Sequence, residues 1–311
     1  LYGVLSLTLC MAGGCDSNIN LDPEGIITAD GYFKSAEDYE KALNALYERL
    51  NVNNYDLWLD AVTDNGLVTH SWNKGYDMGR GLGNTSSSFP NEKWTNGYIS
   101  IQRANNIINN IDKYQWPGGE ADTDRNRVLG EALTLRAYYY LDLVSIFGRI
   151  MFYTENPATV AESETVKQIE DPKEVFDFIL DDLNKAITCL PENSANKSKV
   201  GKPAARLLRA RAAAFAAGYL KDKSYFQITL DETSHLIASA PQLADFDKLF
   251  VSGCEDQEEV ILVRRYSMDA KNGWGDWYNQ SIGGYCVTTP VKSLVDAFEY
   301  IGEVNENRPY I

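Results

Sequence analysis

A continuous apolar stripe on one helical face is the feature that most constrains the fold of this chain. Between residues 128 and 146, apolar side chains recur at intervals of three and four residues, which places them on one face of an α-helix. The stripe consists of Val128, Ala132, Leu135, Tyr139, Leu143 and Ile146. Gly148 follows, and helices commonly end at a glycine. The pattern therefore predicts a long helix that ends at Gly148.

Helix signals recur along the rest of the chain. Five further helices are predicted. The first follows a cap at Ser35, the second covers residues 96–114, and the third starts at the Asp-Pro pair before residue 173. The last two cover the Ala-rich residues 204–220 and residues 225–239. A short strand is predicted at residues 260–263. We predict a mostly α fold of tetratricopeptide-like helical pairs with long aromatic-rich loops and a few short strands, although no clean tetratricopeptide consensus is present.

The charge of the chain excludes several classes of function. Lys and Arg number 29 and Asp and Glu number 44 among 311 residues, so the formal net charge is −15. Such a surface repels a phosphate backbone, which argues against a nucleic-acid partner. Only His70 and His235 could supply imidazole ligands, and the acidic residues 255–259 lack the pattern of a calcium loop, so we predict no metal. An acidic, aromatic-rich chain suits a binder of neutral polar ligands such as sugars.

The first residues are typical of an exported protein. Residues 1–14 carry no charge and form an apolar run that is shorter than the about 20 residues of a bilayer span. Small residues precede Cys15, which resembles the lipobox at which bacterial lipoproteins are cleaved and acylated. We predict a partial signal peptide at 1–14, a tether at 15–35 lipidated on Cys15, and a helical domain at 36–311. The alternative is a buried N-terminal helix with a chance cysteine.

Three cysteines other than Cys15 follow the predicted signal peptide. They are Cys189, Cys254 and Cys286, and no CxxC or similar metal-binding spacing joins them. Export permits a disulfide without requiring one. The pattern favours isolated thiols, or at most one disulfide, over a redox or zinc role.

Two stretches between the helices lack helical periodicity. Residues 65–94 are rich in Gly, Ser and Asn, and residues 264–289 are rich in aromatic side chains. Together they hold four of the six tryptophans. Loops longer than about 15 residues are uncommon in a compact domain unless they carry function. We therefore place the candidate binding residues in these two loops.

Five segments of the chain follow one another in the order and spacing of a known family. They are the lipobox, GEALTLRAYYYLDLVSIFGRI at 130–150, residues 171–190 and 202–220, and TTPVKSLVDAFE at 288–299. Through these segments the chain resembles the SusD/RagB family of outer-membrane nutrient-binding lipoproteins. Family members capture glycans at the surface of Bacteroidetes-type bacteria. They are considerably longer, so the resemblance implies that this chain is the N-terminal part of a longer protein, cut at both ends.

The resemblance implies a function without catalysis and without a cofactor. The protein would be anchored in outer-membrane lipid through Cys15, face the cell surface, and capture an oligo- or polysaccharide. It would deliver this glycan to its partner, a SusC-like TonB-dependent transporter. A second hypothesis keeps the helical stack and the anchor but gives the loops a peptide or protein partner, with aromatic residues as hot spots.

Aromatic loop residues with polar neighbours are the candidates for a glycan site. An aromatic ring covers the apolar C–H face of a pyranose, and nearby polar groups satisfy its hydroxyls. The candidate ligand-binding residues are Trp72, Asn73, Tyr76, Asp64, Trp274, Trp277, Tyr278 and Asn272. Adjacent residues 277 and 278 point in different directions, so one of them is expected to face the ligand. The alternative for each aromatic residue is packing beneath its own loop.

The remaining tryptophans are predicted to be structural. Trp58 and Trp94 adjoin helical runs and are predicted to lie in the core, and Trp116, which precedes a proline, is predicted to cover a turn. Asp64 is expected either to accept a sugar hydroxyl or to order the loop that carries Trp72.

A surface hydrolase is the third hypothesis. Asp56, Asp60 and Asp64 would share a face if residues 55–64 were helical, and paired carboxylates can cleave glycosidic bonds. However, 44 acidic residues in 311 produce about six such i,i+4 pairs by chance. No GxSxG motif occurs, and two histidines offer no credible Ser-His-Asp triad. We therefore predict that the protein is not an enzyme.

Overall fold

Helices are the main secondary structure of the chain that the structure describes. The computed structural model describes residues 32–50, 59–194, 196–239, 243–249, 251, 253–265 and 284–298. The helices are α1 (Ala36–Tyr47), α2 (Tyr76–Gly79), α3 (Ser88–Asn109), α4 (Thr123–Phe147), α5 (Val160–Thr165), α6 (Lys173–Cys189), α7 (Lys202–Tyr219), α8 (Tyr225–Ala238) and α9 (Lys292–Ala297), and the strands are β1 (Gly66–Val68) and β2 (Thr288–Pro290). The predicted signal peptide, Cys15 and most of the predicted tether lie outside the described residues.

Helix α4 lies at the centre of the core, and the predicted helix is confirmed. The Asp122 side chain caps its first turn by accepting hydrogen bonds from two backbone N–H groups. Gly148 ends it with a φ of 71°, a value that favours glycine, and its N–H donates to the Val144 carbonyl. Residues 130–137 are buried on every side of the helix. The apolar stripe therefore identified the helix but understated how completely its middle is enclosed.

Helices that follow one another in the chain pack together. Helix α3 packs on α4, α7 on α6 and α8 on α7, while α6 also packs on α4 and α1 packs on both α3 and α4. This arrangement confirms the predicted mostly α fold of helical pairs. Within the described part of the chain, none of the helices combines the length and apolar character needed to cross a membrane.

Helix α3 begins well before the predicted start at residue 96. Phe89 and Trp94, predicted to lie in a loop, are both helical. Phe89 is buried, and the Trp94 ring packs edge-on against Phe147 with 5.1 Å between ring centroids. Pro90 is tolerated because first-turn N–H groups have no partner within a helix. Packing against α4 supports this turn, whose polar composition alone did not indicate a helix.

The capping signals of α1 and α6 mark their starts. Ser35 and Asp38 form the reciprocal hydrogen bonds of a capping box at the start of α1. At α6, Pro172 occupies the position before the helix rather than its first residue, so the predicted start is wrong by one position. The Asp171 carboxylate still accepts a hydrogen bond from the Lys173 N–H and satisfies an end of the helix.

The strands form one antiparallel pair between distant parts of the chain. Gly66 lies opposite Pro290, and Val68 lies opposite Thr288. The strand predicted at residues 260–263 is not formed. Val263 donates its N–H to the Lys197 carbonyl, but this segment has no strand partner among the described residues. Isolated extended chain does not make a sheet, because a strand needs a paired ladder of hydrogen bonds.

Candidate functional site

The β1–β2 pair joins the two loops that hold the candidate binding residues. Beyond the ladder, the Thr69 N–H donates to the Val287 carbonyl at 2.9 Å, and the Thr69 hydroxyl donates to the Cys286 carbonyl at 2.6 Å. At the other end of the pair, the Val291 N–H donates to the Asn65 carbonyl. The chain on both sides of β1 is therefore fixed against the chain around β2.

A tight turn directly after β1 presents Trp72 to solvent. The Asn73 N–H donates to the His70 carbonyl at 3.0 Å, which closes the turn around Ser71 and Trp72. The Trp72 side chain is 64% exposed. Its ring lies against the His70 imidazole with 5.3 Å between centroids and 51° between planes. One face of a large apolar side chain is thus open, and its position is set by the backbone and by a neighbouring ring.

Arg80 fixes the backbone that follows this turn. Its guanidinium lies 3.6 Å from the centroid of the Tyr76 ring and donates hydrogen bonds to the carbonyls of Val68 and Tyr76. Gly75 has a φ of 86°, which lets the chain turn into the short helix α2. Arg80 therefore covers one face of the Tyr76 ring, so Tyr76 braces the site and is less available for stacking than Trp72.

Asp64 does not join this group. It is exposed in the turn before β1, whereas Trp72 follows the other end of the strand. Strand β1 has three residues of extended chain, so its two ends lie about 10 Å apart. Residues 61–64 form a turn rather than a helix, so Asp60 and Asp64 do not share the helical face on which the hydrolase hypothesis depended.

The second predicted loop is described only at its end. Trp274, Trp277, Tyr278 and Asn272 lie outside the described residues, as do Trp58 and Asp56. Tyr285 was not among the predicted site residues. It is 60% exposed and directly precedes Cys286, whose carbonyl accepts the hydrogen bond from the Thr69 hydroxyl. His70 and Arg80 were also missed. A histidine two positions before a loop tryptophan was the available signal for His70.

The two other tryptophans that the structure describes are packed, as predicted. Trp94 contacts the Tyr98 and Phe147 rings. Trp116 is only 6% exposed, and its indole N–H donates to the Ile111 carbonyl at 2.7 Å. It sits in a turn but belongs to the main core, so the prediction of a turn cover understated its burial. Among these three tryptophans, Trp72 alone presents most of its surface to solvent.

Among the described residues, the carboxyl groups with a raised pKa lie in the helical core and not beside Trp72. Burial raises the pKa of Glu131 and of Asp182, and an arginine opposes the shift in each case. These arginines are Arg127 for Glu131 and Arg136 for Asp182. In the described residues, no group of three or more His, Cys, Asp or Glu side chains could hold a metal ion, and the three described cysteines are free thiols.

A family model and two relatives of known family match this chain. Residues 24–217 match a SusD-like family model that is described as "Starch-binding associating with outer membrane". The chain is 24% identical to SusD-like protein P25 of Formosa agariphila, across 83% of this chain and 50% of that protein. It is 22% identical to a SusD-like protein of Bacteroides ovatus, across 99% of this chain and 57% of that protein. The chain thus spans about half the length of these relatives.

Solved structures share the fold. A SusD-like carbohydrate-binding protein from Bacteroides fragilis superposes with a TM-score of 0.69 at 19% identity, covering 86% of this chain and 54% of that one. A laminarin-binding SusD-like protein superposes with a TM-score of 0.63 at 23% identity, covering 74% of this chain and 51% of that one.

Proposed function

This chain belongs to the SusD-like family, and on that basis we propose that it is a non-catalytic glycan-binding protein that captures an oligo- or polysaccharide through Trp72. The observation that carries the proposal is the exposed Trp72 ring, held on a hydrogen-bonded turn that follows β1. A rigid, exposed aromatic face is the surface on which the apolar side of a pyranose stacks.

The surroundings of Trp72 suit a neutral polar ligand. Asn73 is half-buried beside it, and the exposed Ser71 precedes it, so amide and hydroxyl groups flank the ring. Such groups exchange hydrogen bonds with sugar hydroxyls without requiring a charge. Tyr285, in the segment that leads into β2, contributes a second exposed ring. We assign Trp274, Trp277, Tyr278 and Asn272 to the same site as part of this proposal.

The absence of catalysis is proposed on chemical grounds. Glycoside hydrolysis requires two carboxyl groups that flank the scissile bond, and one of them commonly has a raised pKa. Within the described part of the chain, the acidic groups whose pKa burial raises are Glu131 and Asp182, which are enclosed among helices and paired with arginines. Neither has the access to solvent that a polysaccharide chain requires.

The proposed context of capture is the outer membrane. We propose that Cys15 carries the lipid anchor, that the protein faces the cell surface, and that it delivers its glycan to a SusC-like TonB-dependent transporter. The family match supports this context. The alternative is a peptide or protein ligand on the same aromatic surface, within the same transport system.

Affinity electrophoresis tests the proposal. The full chain is run through native gels that contain single soluble polysaccharides, with starch and laminarin in the panel. We expect one polysaccharide to retard the protein and Trp72→Ala to weaken binding about tenfold or more, because a stacked aromatic ring contributes about 1.5–3 kcal/mol. Trp274→Ala is run in the same gels and is expected to weaken binding as well.

A matched control separates stacking from general loss of apolar surface. Phe226 on α8 is also an exposed aromatic residue, 48% exposed, but it belongs to a helix that packs on α7. Phe226→Ala should bind like the wild type. Retardation that survives Trp72→Ala would contradict the placement of the site, and no retardation of the wild type in any gel would favour the peptide or protein ligand.

A further inference from the structure

Thr69 makes two short contacts through one hydroxyl group. Its Oγ1 lies 2.6 Å from the Cys286 carbonyl oxygen and 2.7 Å from Nδ1 of His70. Both distances are those of hydrogen bonds. A threonine hydroxyl has one hydrogen to donate and two lone pairs with which to accept, so it cannot donate to both neighbours.

Only one assignment of hydrogens satisfies both contacts. A carbonyl oxygen can only accept, so the Thr69 hydroxyl must donate to Cys286. If it donated to His70 instead, two oxygen atoms would face each other at 2.6 Å with no hydrogen between them. The hydrogen on the imidazole therefore lies on Nδ1 and is donated to Thr69. Neutral His70 consequently carries an unprotonated Nε2 with a free lone pair.

The position of Nε2 is available to a ligand. His70 is half-buried, its ring lies against the exposed Trp72, and among the described residues no hydrogen-bond partner contacts Nε2. Cys286 supports the arrangement, since it has a φ of 50°, an uncommon value for a residue other than glycine, and its carbonyl receives the Thr69 hydroxyl. Strained backbone of this kind is held in place by the contacts around it.

We propose that His70 is a specificity-determining residue of the glycan site, whose Nε2 accepts a hydrogen bond from a hydroxyl of the sugar stacked on Trp72. Thr69 is the positioning residue, because it fixes the imidazole tautomer and its orientation. The inference rests on the proposed glycan binding and deepens it. The favoured ligand is therefore a sugar whose ring stacks on Trp72 and whose edge carries a hydroxyl that can donate to Nε2 of His70.

Nuclear magnetic resonance tests the tautomer without any ligand. The chain has two histidines, so long-range ¹⁵N–¹H spectra of the labelled full chain contain two imidazoles, and His235→Gln assigns them. At about pH 8, well above the usual titration range of imidazole side chains, we expect His70 to be protonated on Nδ1 and unprotonated on Nε2. In Thr69→Val we expect this preference to be lost. A wild-type His70 protonated on Nε2 would overturn the inference.

Binding measurements test the role of the lone pair. With the polysaccharide that retards the wild type, His70→Leu should weaken binding about three- to tenfold, the usual effect of losing one hydrogen bond. His70→Gln keeps a side-chain acceptor and should retain most of the affinity. Thr69→Val should weaken binding although His70 is still present, because a fraction of the imidazoles then carry the hydrogen on Nε2, which cannot accept. Circular dichroism of each variant confirms that the helical scaffold is intact.

The outcomes separate this inference from the glycan-binding proposal. If Trp72→Ala abolishes retardation while His70→Leu binds like the wild type, the protein binds glycan but His70 accepts no hydrogen bond from it, and the inference is overturned alone. If no polysaccharide retards the wild type, the proposed function fails, and the role of His70 toward a sugar fails with it.

Discussion

A single buried arginine joins three helices of the core. Arg136 of α4 donates through Nε and Nη2 to both carboxylate oxygens of Asp182 on α6, at 2.8 and 2.9 Å, and through Nη1 to the Asn105 side chain on α3 at 2.8 Å. Its guanidinium also lies 4.8 Å from the centroid of the Phe178 ring. Both charged side chains are almost completely buried. This network explains why an arginine stands within the helix that carries the family resemblance.

Neighbouring aspartates provide a matched test of this buried pair. Asp182→Ala leaves Arg136 buried without its carboxylate and should lower the free energy of unfolding by about 3–5 kcal/mol. Asp181, the preceding residue, forms an exposed i,i+4 pair with Lys185, and Asp181→Ala should cost less than about 0.5 kcal/mol. Urea unfolding followed by circular dichroism measures both. Equal losses in the two variants would contradict the special role of the buried pair.

The exposure of a single tryptophan depends partly on contacts that its local sequence does not show. The sequence predicted Trp94 and Trp116 to be structural and Trp72 to be a binding candidate, and both structural tryptophans are packed. For Trp72 the sequence left two possibilities, exposure or packing beneath its own loop. What the rest of the fold places around the ring decides between them, and Trp72 is exposed.

Close contact between helices depends on two glycines. A Cβ on Gly97 of α3 would lie 2.8 Å from Cδ2 of Leu143, and one on Gly130 of α4 would lie 2.7 Å from Cγ of Leu190. Both leucines are themselves buried and have little space in which to move. Glycine has an unfavourable helix propensity, but at these two positions the absence of a side chain permits tight packing.

Two glycine-to-alanine variants should have opposite effects. Gly97→Ala should lower the free energy of unfolding by about 1–2 kcal/mol, because overpacking outweighs the better helix propensity of alanine. Gly218 of α7 is exposed, and a Cβ there would meet no atom within 4 Å. Gly218→Ala should raise the free energy of unfolding by about 0.5 kcal/mol. Stabilisation by both substitutions in urea unfolding would show that α3 and α4 do not pack this closely.

The net charge of −15 belongs to the molecule as a whole and provides a test of ligand class. Stacking and neutral hydrogen bonds are insensitive to salt, whereas a basic peptide on an acidic surface binds through screened charges. We expect calorimetric titration with the polysaccharide to give affinities within about twofold between about 50 and 500 mM NaCl. A many-fold loss of affinity over this range would support the alternative ligand, a basic peptide.

The elements of the core could be predicted from the sequence because helices are coded locally. Apolar spacing, the capping residues Ser35 and Asp171, and the terminal Gly148 each act within a few residues of the structure that they specify. The early start of α3 was missed because its support comes from α4, a contact made across the fold. Helix type and order are thus properties of the sequence, while boundaries depend partly on packing.

The proposed binding surface depends on tertiary structure. The β1–β2 pair joins Val68 to Thr288, residues that are distant in the chain, and no local pattern in a three-residue strand specifies such a partner. That pairing brings the Cys286 carbonyl to Thr69, which in turn fixes the hydrogen on His70 beside Trp72. The sequence by itself determined a mostly helical fold and the aromatic, acidic character of its loops. Only the folded chain decided which aromatic ring is exposed and which polar atom lies next to it, because both depend on long-range contacts.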